Sequence, residues 1–197
     1  MKVLYYCIKA LIETELLAQI KNDPGAFRQL FELYYKTIFG YILRRTADFD
    51  HTADIASETF LKAFKNIYRF DHRGISIKVW LYQIATNEVN LYFRNQKKNK
   101  RLFEANAMDD PELLKSSLQE DRQILEKELL HHEQFLSVVK HLKQMPSKYQ
   151  NVISLRYFEG KDNREIADIL NLKEGTLKSL LSRGLEKLKN LCNETSH

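Results

Sequence analysis

Side chains suited to covalent or metal chemistry are few in this sequence, and they are badly spaced. His131, His132 and Glu133 are consecutive, and neighbours on a helix point about 100° apart, so the three make a poor chelate. Asp109 and Asp110 form a bare carboxylate pair. Cys7 and Cys192 lie near opposite ends with no metal-ligand spacing. There is no Gly-rich phosphate loop and no nucleophile motif. An enzyme is therefore a poor reading, and no catalytic residue, metal or cofactor is expected. The well-spaced set does binding chemistry instead. Lys178, Ser179, Ser182, Arg183 and Lys187 lie opposite an apolar stripe of Leu177, Leu180 or Leu181, Leu185 and Leu188. Short polar groups and long cations on one face suit a helix that enters a major groove.

The elements that must position this face read as a helix-turn-helix. Asp162 and Glu165 in D-N-R-E form a capping box that starts a helix. Ile166, Ala167, Ile169 and Leu170 give it a tight apolar face. Asn171 interrupts, Leu172 plugs the turn, and a second helix runs from about Gly175. Two helices are expected before it. One carries Phe135, Val138, Val139, Leu142 and Met145 at helical spacing. The next follows Pro146 and Ser147 and closes at Gly160. Together they make a four-helix unit over residues 134–192.

Composition sets the outer bounds. The chain has 197 residues, enough for one or two domains, with six Gly and three Pro among many helix formers. An all-α protein of two small domains follows. The net charge of +5 fits a polyanionic partner. The charge is uneven. Residues 84–101 hold five bases against one acid, residues 104–133 nine acids against three bases, and residues 173–189 five bases against two acids. That pattern suggests two nucleic-acid-facing modules and an acidic linker over residues 99–133. The apolar start, M-K-V-L-Y-Y-C-I-K-A-L-I, is interrupted by Lys9 and too short to span a bilayer. No membrane insertion and a cytoplasmic location are expected.

Residues 13–98 divide into helices. Residues 13–21 form a short amphipathic one. Asp23 caps the next, with Pro24 at its first position. Residues 48–51 read as a turn, and a third helix runs over about 52–68. A loop around Gly74 leads to Ser76, which caps a last helix ending in the run R-N-Q-K-K-N-K-R, residues 94–101.

The chain resembles the bacterial extracytoplasmic-function (ECF) sigma factors, the minimal two-domain form of the sigma-70-type initiation factors. The stretches that carry the resemblance stand in the family's order. They are D-P-G-A-F-R-Q-L-F-E-L-Y-Y (23–35), D-I-A-S-E-T-F-L-K-A-F (54–64), V-W-L-Y-Q-I-A-T-N (79–87) and K-Q-M-P-S-K-Y-Q-N-V-I-S-L-R-Y (143–157), followed by E-I-A-D-I-L and G-T-L-K-S. The last two also resemble the helix-turn-helix of LuxR-type regulators, but those lack the earlier patterns. A stand-alone DNA-binding regulator is the alternative reading, and it leaves the patterns of residues 54–87 as accident.

The resemblance implies a mechanism. The chain would bind core RNA polymerase and direct it to promoter DNA, and an anti-sigma factor is expected as a further partner. The 54–64 helix would dock on the polymerase, with Asp54, Ile55, Glu58, Thr59 and Lys62 along an exposed edge. The loop over residues 70–75 and the helix after it would hold a flipped base of the −10 element. Tyr68, Phe70 and Arg73 would supply stacking and charge, Asn87 a hydrogen bond, and Lys97 and Lys98 phosphate contacts. The second module would read the −35 element with Thr176, Lys178, Ser179, Ser182 and Arg183. Lys178 or Arg183 can reach guanine O6 and N7 or a phosphate, and Thr176 at the helix start favours a phosphate. Leu180 stands where many members carry Arg, and Asn90 where many carry Asp. Promoter preference is therefore not transferable from relatives. Elements some 25 base pairs apart lie ~85 Å apart at ~3.4 Å per pair. A linker of roughly 36 residues spans ~35 Å on average but over ~100 Å when extended. Both modules can then engage together only with the linker stretched, and its acidic stretch would thread the basic interior of the polymerase.

Overall fold

The computed structural model describes residues 13–70, 75–103 and 133–194, with side chains described for 13–70, 75–96 and 138–193. Among these residues there are helices and no strands. Eight α-helices form two groups of four. The first holds α1 (residues 13–22), α2 (Phe27–Thr46), α3 (Phe49–Asn66) and α4 (Ile77–Phe103). The second holds α5 (Glu133–Gln144), α6 (Ser147–Ile153), α7 (Asn163–Leu170) and α8 (Glu174–Glu194).

Local chemistry explains most of the boundaries. The Asp23 side chain accepts a hydrogen bond from Gly25 N–H and starts a 3₁₀ turn, Pro24–Ala26, that leads into α2. Helix α2 ends at Ala47, which adopts a left-handed φ of 47°. The turn expected over residues 48–51 is shorter than that. Asp48 accepts from His51 N–H, so α3 already starts at Phe49. Ser76 Oγ accepts from Val79 N–H at the start of α4, as its position predicts. Helix α4 runs to Phe103, past the expected boundary at residue 98. The run R-N-Q-K-K-N-K-R is polar but contains no Gly or Pro to stop it.

The first group packs around Leu30, Ile38 and Ile42 of α2, Ala56, Phe60 and Ala63 of α3, and Ile77, Leu81, Ala85 and Val89 of α4, all nearly free of solvent. Several polar groups inside it are paired. Tyr41 Oη and Thr86 Oγ1 lie 2.9 Å apart, and Thr46 Oγ1 and Thr52 Oγ1 lie 2.7 Å apart. Buried Glu13 ties three helices together. Its carboxylate accepts from Tyr34 Oη at 2.9 Å and from Ile77 N–H at 3.2 Å, at the positive end of α4.

The second group packs around Leu142, Met145, Val152, Ile153, Leu155, Ile166, Ile169 and Leu177. Helix α6 runs into a π-helical turn, Ser154–Phe158, and the chain reverses at Gly160 with φ 59°. Tyr157, within that turn, is 56% exposed. Leu185, expected on the core stripe of α8, is also exposed, because the stripe passes through buried Gly184 and on to Leu188 and Leu191. Gly184 lies where α8 crosses α6. A Cβ there would sit 3.2 Å from Ile153 Cδ1 and 3.3 Å from Tyr149 Cδ1.

The two groups pack against each other, α7 on α4 and the α6 end on α2.

Candidate nucleic-acid interface

Helices α7 and α8 meet as a helix-turn-helix. The capping box is complete, with Glu165 N–H bonded to Asp162 Oδ1 at 2.8 Å and Asp162 N–H to Glu165 Oε2 at 3.2 Å. Asn171 takes a left-handed φ of 51°, which an Asn tolerates better than most residues, and Leu172 N–H closes the turn on Ala167 C=O. Leu177 is fully buried and fixes the rotation of α8. Thr176, Lys178, Ser179, Ser182 and Arg183 are consequently all exposed. Ser179 Oγ donates to Gly175 C=O at 3.0 Å, and Arg183 Nε donates to Ser179 C=O at 3.2 Å. Both side chains rest on their own helix and can turn outward without breaking a tertiary contact.

The other site residues are less uniform. Tyr68 is half exposed. Phe70 is buried, with its ring centroid 4.7 Å from that of Trp80, so it props Trp80 and offers no free stacking face. Trp80 keeps part of its surface exposed and is the aromatic nearer to solvent. Asn87 is exposed on α4. Arg73 and the side chains of Lys97 and Lys98 lie outside the described residues, as do His131, His132, Asp109 and Asp110.

On α3, Asp54 and Glu58 are exposed, while Ile55 and Thr59 are buried. Thr59 Oγ1 donates to Ile55 C=O, so these two belong to the core and not to the exposed edge expected of them. The reason is that α2 and α4 cover α3 from two sides, a fact of packing rather than of period. Lys62 remains on the edge and bridges Glu88 at 2.7 Å and Glu58 at 3.5 Å. Its hydrogen bond to Glu88 holds its ammonium above the ordinary range. Beside this edge, Phe31, Leu61 and Phe64 are exposed apolar groups.

Among the described residues, no cluster of His, Cys, Asp and Glu could hold a metal ion, and no helix is long and apolar enough to cross a membrane.

Comparison with known proteins agrees with this division. Residues 30–99 match the family model for sigma-70 region 2, and residues 136–188 match that for sigma-70 region 4. The chain is 30% identical to the ECF RNA polymerase sigma factor SigW of Bacillus subtilis over 183 residues, covering 92% of this chain and 97% of that one. It is 28% identical to SigM of the same organism, covering 84% and 94%. The fold is shared with CnrH, solved in complex with the cytosolic domain of CnrY, at TM-score 0.63 and 19% identity, covering 92% of this chain and 97% of that one. It is also shared with the sigma factor RpoE of Bartonella quintana, solved with the anti-sigma factor NepR, at TM-score 0.60 and 20% identity, covering 85% and 96%. With both regions present in order and its length matched almost end to end, the chain belongs to the ECF RNA polymerase sigma factors of the sigma-70 family.

Proposed function

We propose a division of labour within the sigma factor, which directs core RNA polymerase to promoters. Residues 134–192 read the −35 element, and residues 13–98 bind the polymerase and capture the −10 element. The acidic stretch 99–133 lies between them, its first residues continuing α4. The observation that carries this reading is the shared face of Thr176, Lys178, Ser179, Ser182 and Arg183, all exposed while Leu177 on the opposite side is fully buried. A helix held by its back and presenting cations and hydroxyls in front suits the major groove. Lys178 and Arg183 contact guanine edges or phosphates, and Thr176 at the helix start contacts a phosphate.

Single-strand capture falls to Tyr68, Arg73 and Asn87, with Lys97 and Lys98 on nearby phosphates, and with Phe70 supporting Trp80 from beneath. Polymerase docking falls to Asp54, Glu58 and Lys62 on the edge of α3, with exposed Phe31, Leu61 and Phe64 as apolar anchors beside them and Ile55 and Thr59 holding the helix from within. The protein works in the cytoplasm, where polymerase and chromosome are, and leaves the chemistry to the polymerase. An anti-sigma factor is a further partner, on the strength of the fold shared with the sigma factor RpoE, solved in complex with the anti-sigma factor NepR. The test is binding of a promoter fragment by the sigma–core complex. Lys178→Ala with Arg183→Ala should weaken recognition of the −35 element and leave core binding intact. Unchanged promoter selection by that variant would refute the assignment.

A further inference from the structure

Between α4 of the first group and α6, α7 and α8 of the second lies a cavity of about 690 Å³, the size of a small-molecule site. Its polar lining is mostly carboxamide. Gln83, Asn87 and Asn90 stand at i, i+4 and i+7 on α4, with Asn151 of α6 and Asn171 of the helix-turn-helix turn also on the wall. Ile169, Leu172 and Leu180 add an apolar strip. Among the lining residues, exposed Lys148 is the one charged group.

Two buried polar atoms at this cavity lack partners. Asn90 lines it, and Asn90 Oδ1 is buried with no hydrogen bond. Such an oxygen costs free energy that a ligand N–H would recover. Arg45 stands behind the wall, 1% exposed. Its guanidinium donates to Asn151 Oδ1, to Gln150 Oε1 and to Tyr41 Oη, which lies 2.9 Å from Thr86 Oγ1, and both Asn151 and Thr86 line the cavity. None of these acceptors is a carboxylate, and Arg45 Nε is buried without a partner. Burial accordingly pulls the guanidinium below its ordinary range.

Neighbouring carboxylates do not offset this charge. Glu88, next to Asn87 in sequence, is held by Lys62 of α3 at 2.7 Å. Glu159, at the end of the π-helical turn, joins the second group to the first and is only 5% exposed. Its Oε1 accepts from Arg44 Nε at 2.9 Å and Arg44 Nη2 at 2.6 Å, and its Oε2 from Tyr82 Oη at 2.6 Å. The cavity is therefore electropositive, with a buried cation behind it, a second at its edge and no acid on its wall.

A ligand that fits must bring a donor for Asn90 Oδ1, negative charge, and a flat apolar surface for the strip. A simple anion leaves the carboxamides unused, and an apolar molecule leaves Asn90 Oδ1 unpaired. A base with an exocyclic amine, joined to a phosphate, meets all three needs. Adenine suits best, because a carboxamide can pair with its N6 and N7 together.

We propose that this cavity binds a free adenine nucleotide, its base on Asn90 and the apolar strip and its phosphate at Lys148. Asn87 lines the same cavity, so a bound nucleotide and a captured −10 base exclude each other. That consequence rests on the role given to Asn87 above, whereas the binding itself does not.

The test is calorimetric titration of the full chain with adenosine monophosphate, beside uridine monophosphate, inorganic phosphate and a short oligo-dA strand. Uridine offers no exocyclic amine, so it and phosphate should bind about tenfold more weakly or worse. Asn90→Leu should weaken adenosine monophosphate binding by about tenfold, and so should Lys148→Ala. Asn90→Leu should not lower the Tm of the nucleotide-free protein, because the oxygen it removes has no partner there. Lys148 is exposed, so its variant carries the test should the other fail to fold. No saturable binding of adenosine monophosphate, or equal binding of phosphate, overturns the site. Binding lost in Lys178→Ala but kept in Asn90→Leu and Lys148→Ala puts the nucleotide on the DNA-reading face and also overturns it. An oligo-dA strand that binds at least as tightly as the free nucleotide, and is lost in Asn90→Leu, gives the cavity to DNA instead.

Discussion

The Glu13 carboxylate accepts a hydrogen bond from the Tyr34 hydroxyl at 2.9 Å inside the first group of helices, and its other oxygen receives Ile77 N–H at the start of α4. One side chain thereby fixes α1, α2 and α4. Glu13→Ala removes the acceptor of two buried donors, so it should lower the unfolding free energy by roughly 1–3 kcal/mol in urea denaturation of the full chain. A loss below about 0.5 kcal/mol, the size of an ordinary surface substitution, would show that the bonds are dispensable.

Ala47 ends α2 at φ 47°, a conformation that costs a residue with a Cβ about 1–2 kcal/mol. Ala47→Gly should relieve that strain, offset in part by the greater freedom of glycine in the unfolded chain. The expected net gain is roughly 0.5–1 kcal/mol, visible as a raised Tm. A lowered Tm would contradict it.

Asp48 caps α3 and gives the fold a pH-dependent contribution. Partial burial pushes its carboxyl up, but the backbone and side-chain hydrogen bonds of His51 outweigh this and hold it below the ordinary value. A carboxyl depressed in the folded state stabilises above its unfolded pKa of about 3.9 and loses that contribution as pH falls through the lower native value. Asp48→Asn keeps a competent cap but removes the titration. Urea melts at pH 7 and near pH 3 should show the wild type losing more stability than the variant. Equal losses would exclude this linkage.

Binding to promoter DNA should weaken steeply with salt, and each phosphate contact removed should flatten the slope of log K against log salt by about one. Thr176→Ala is expected to weaken binding evenly across sequences. Lys178→Ala or Arg183→Ala should cost roughly 1–3 kcal/mol at particular base pairs if that side chain reads a guanine edge. Filter binding over a salt series with a panel of −35 variants separates the two classes.

The parts legible in the sequence are those fixed by neighbours in the chain. The capping box of Asp162 and Glu165 and the Asp23 and Ser76 caps are local, and they are found where residue type placed them. The exposed face of α8 follows from a single stripe, in which fully buried Leu177 is followed by Leu180, Leu181 and Leu188 packed against the core. Ile55, Thr59 and Phe70 went the other way. Their exposure depends on how α2, α4 and Trp80 cover them, which no short spacing reveals. The extension of α4 to Phe103 was hidden because the basic run carries no apolar period, although its residues are good helix formers. Least legible was the role of Glu159. Nothing in F-E-G marks a carboxylate whose partners, Arg44 and Tyr82, lie 115 and 77 residues away.

The most direct measurement is promoter-specific run-off transcription. Purified protein is mixed with sigma-free bacterial core polymerase on the DNA upstream of its own gene, beside Lys178→Ala with Arg183→Ala. The account predicts discrete transcripts from the wild type, and their loss from the double variant while core binding persists. No binding to core polymerase by the wild type would contradict it and favour a stand-alone DNA-binding regulator.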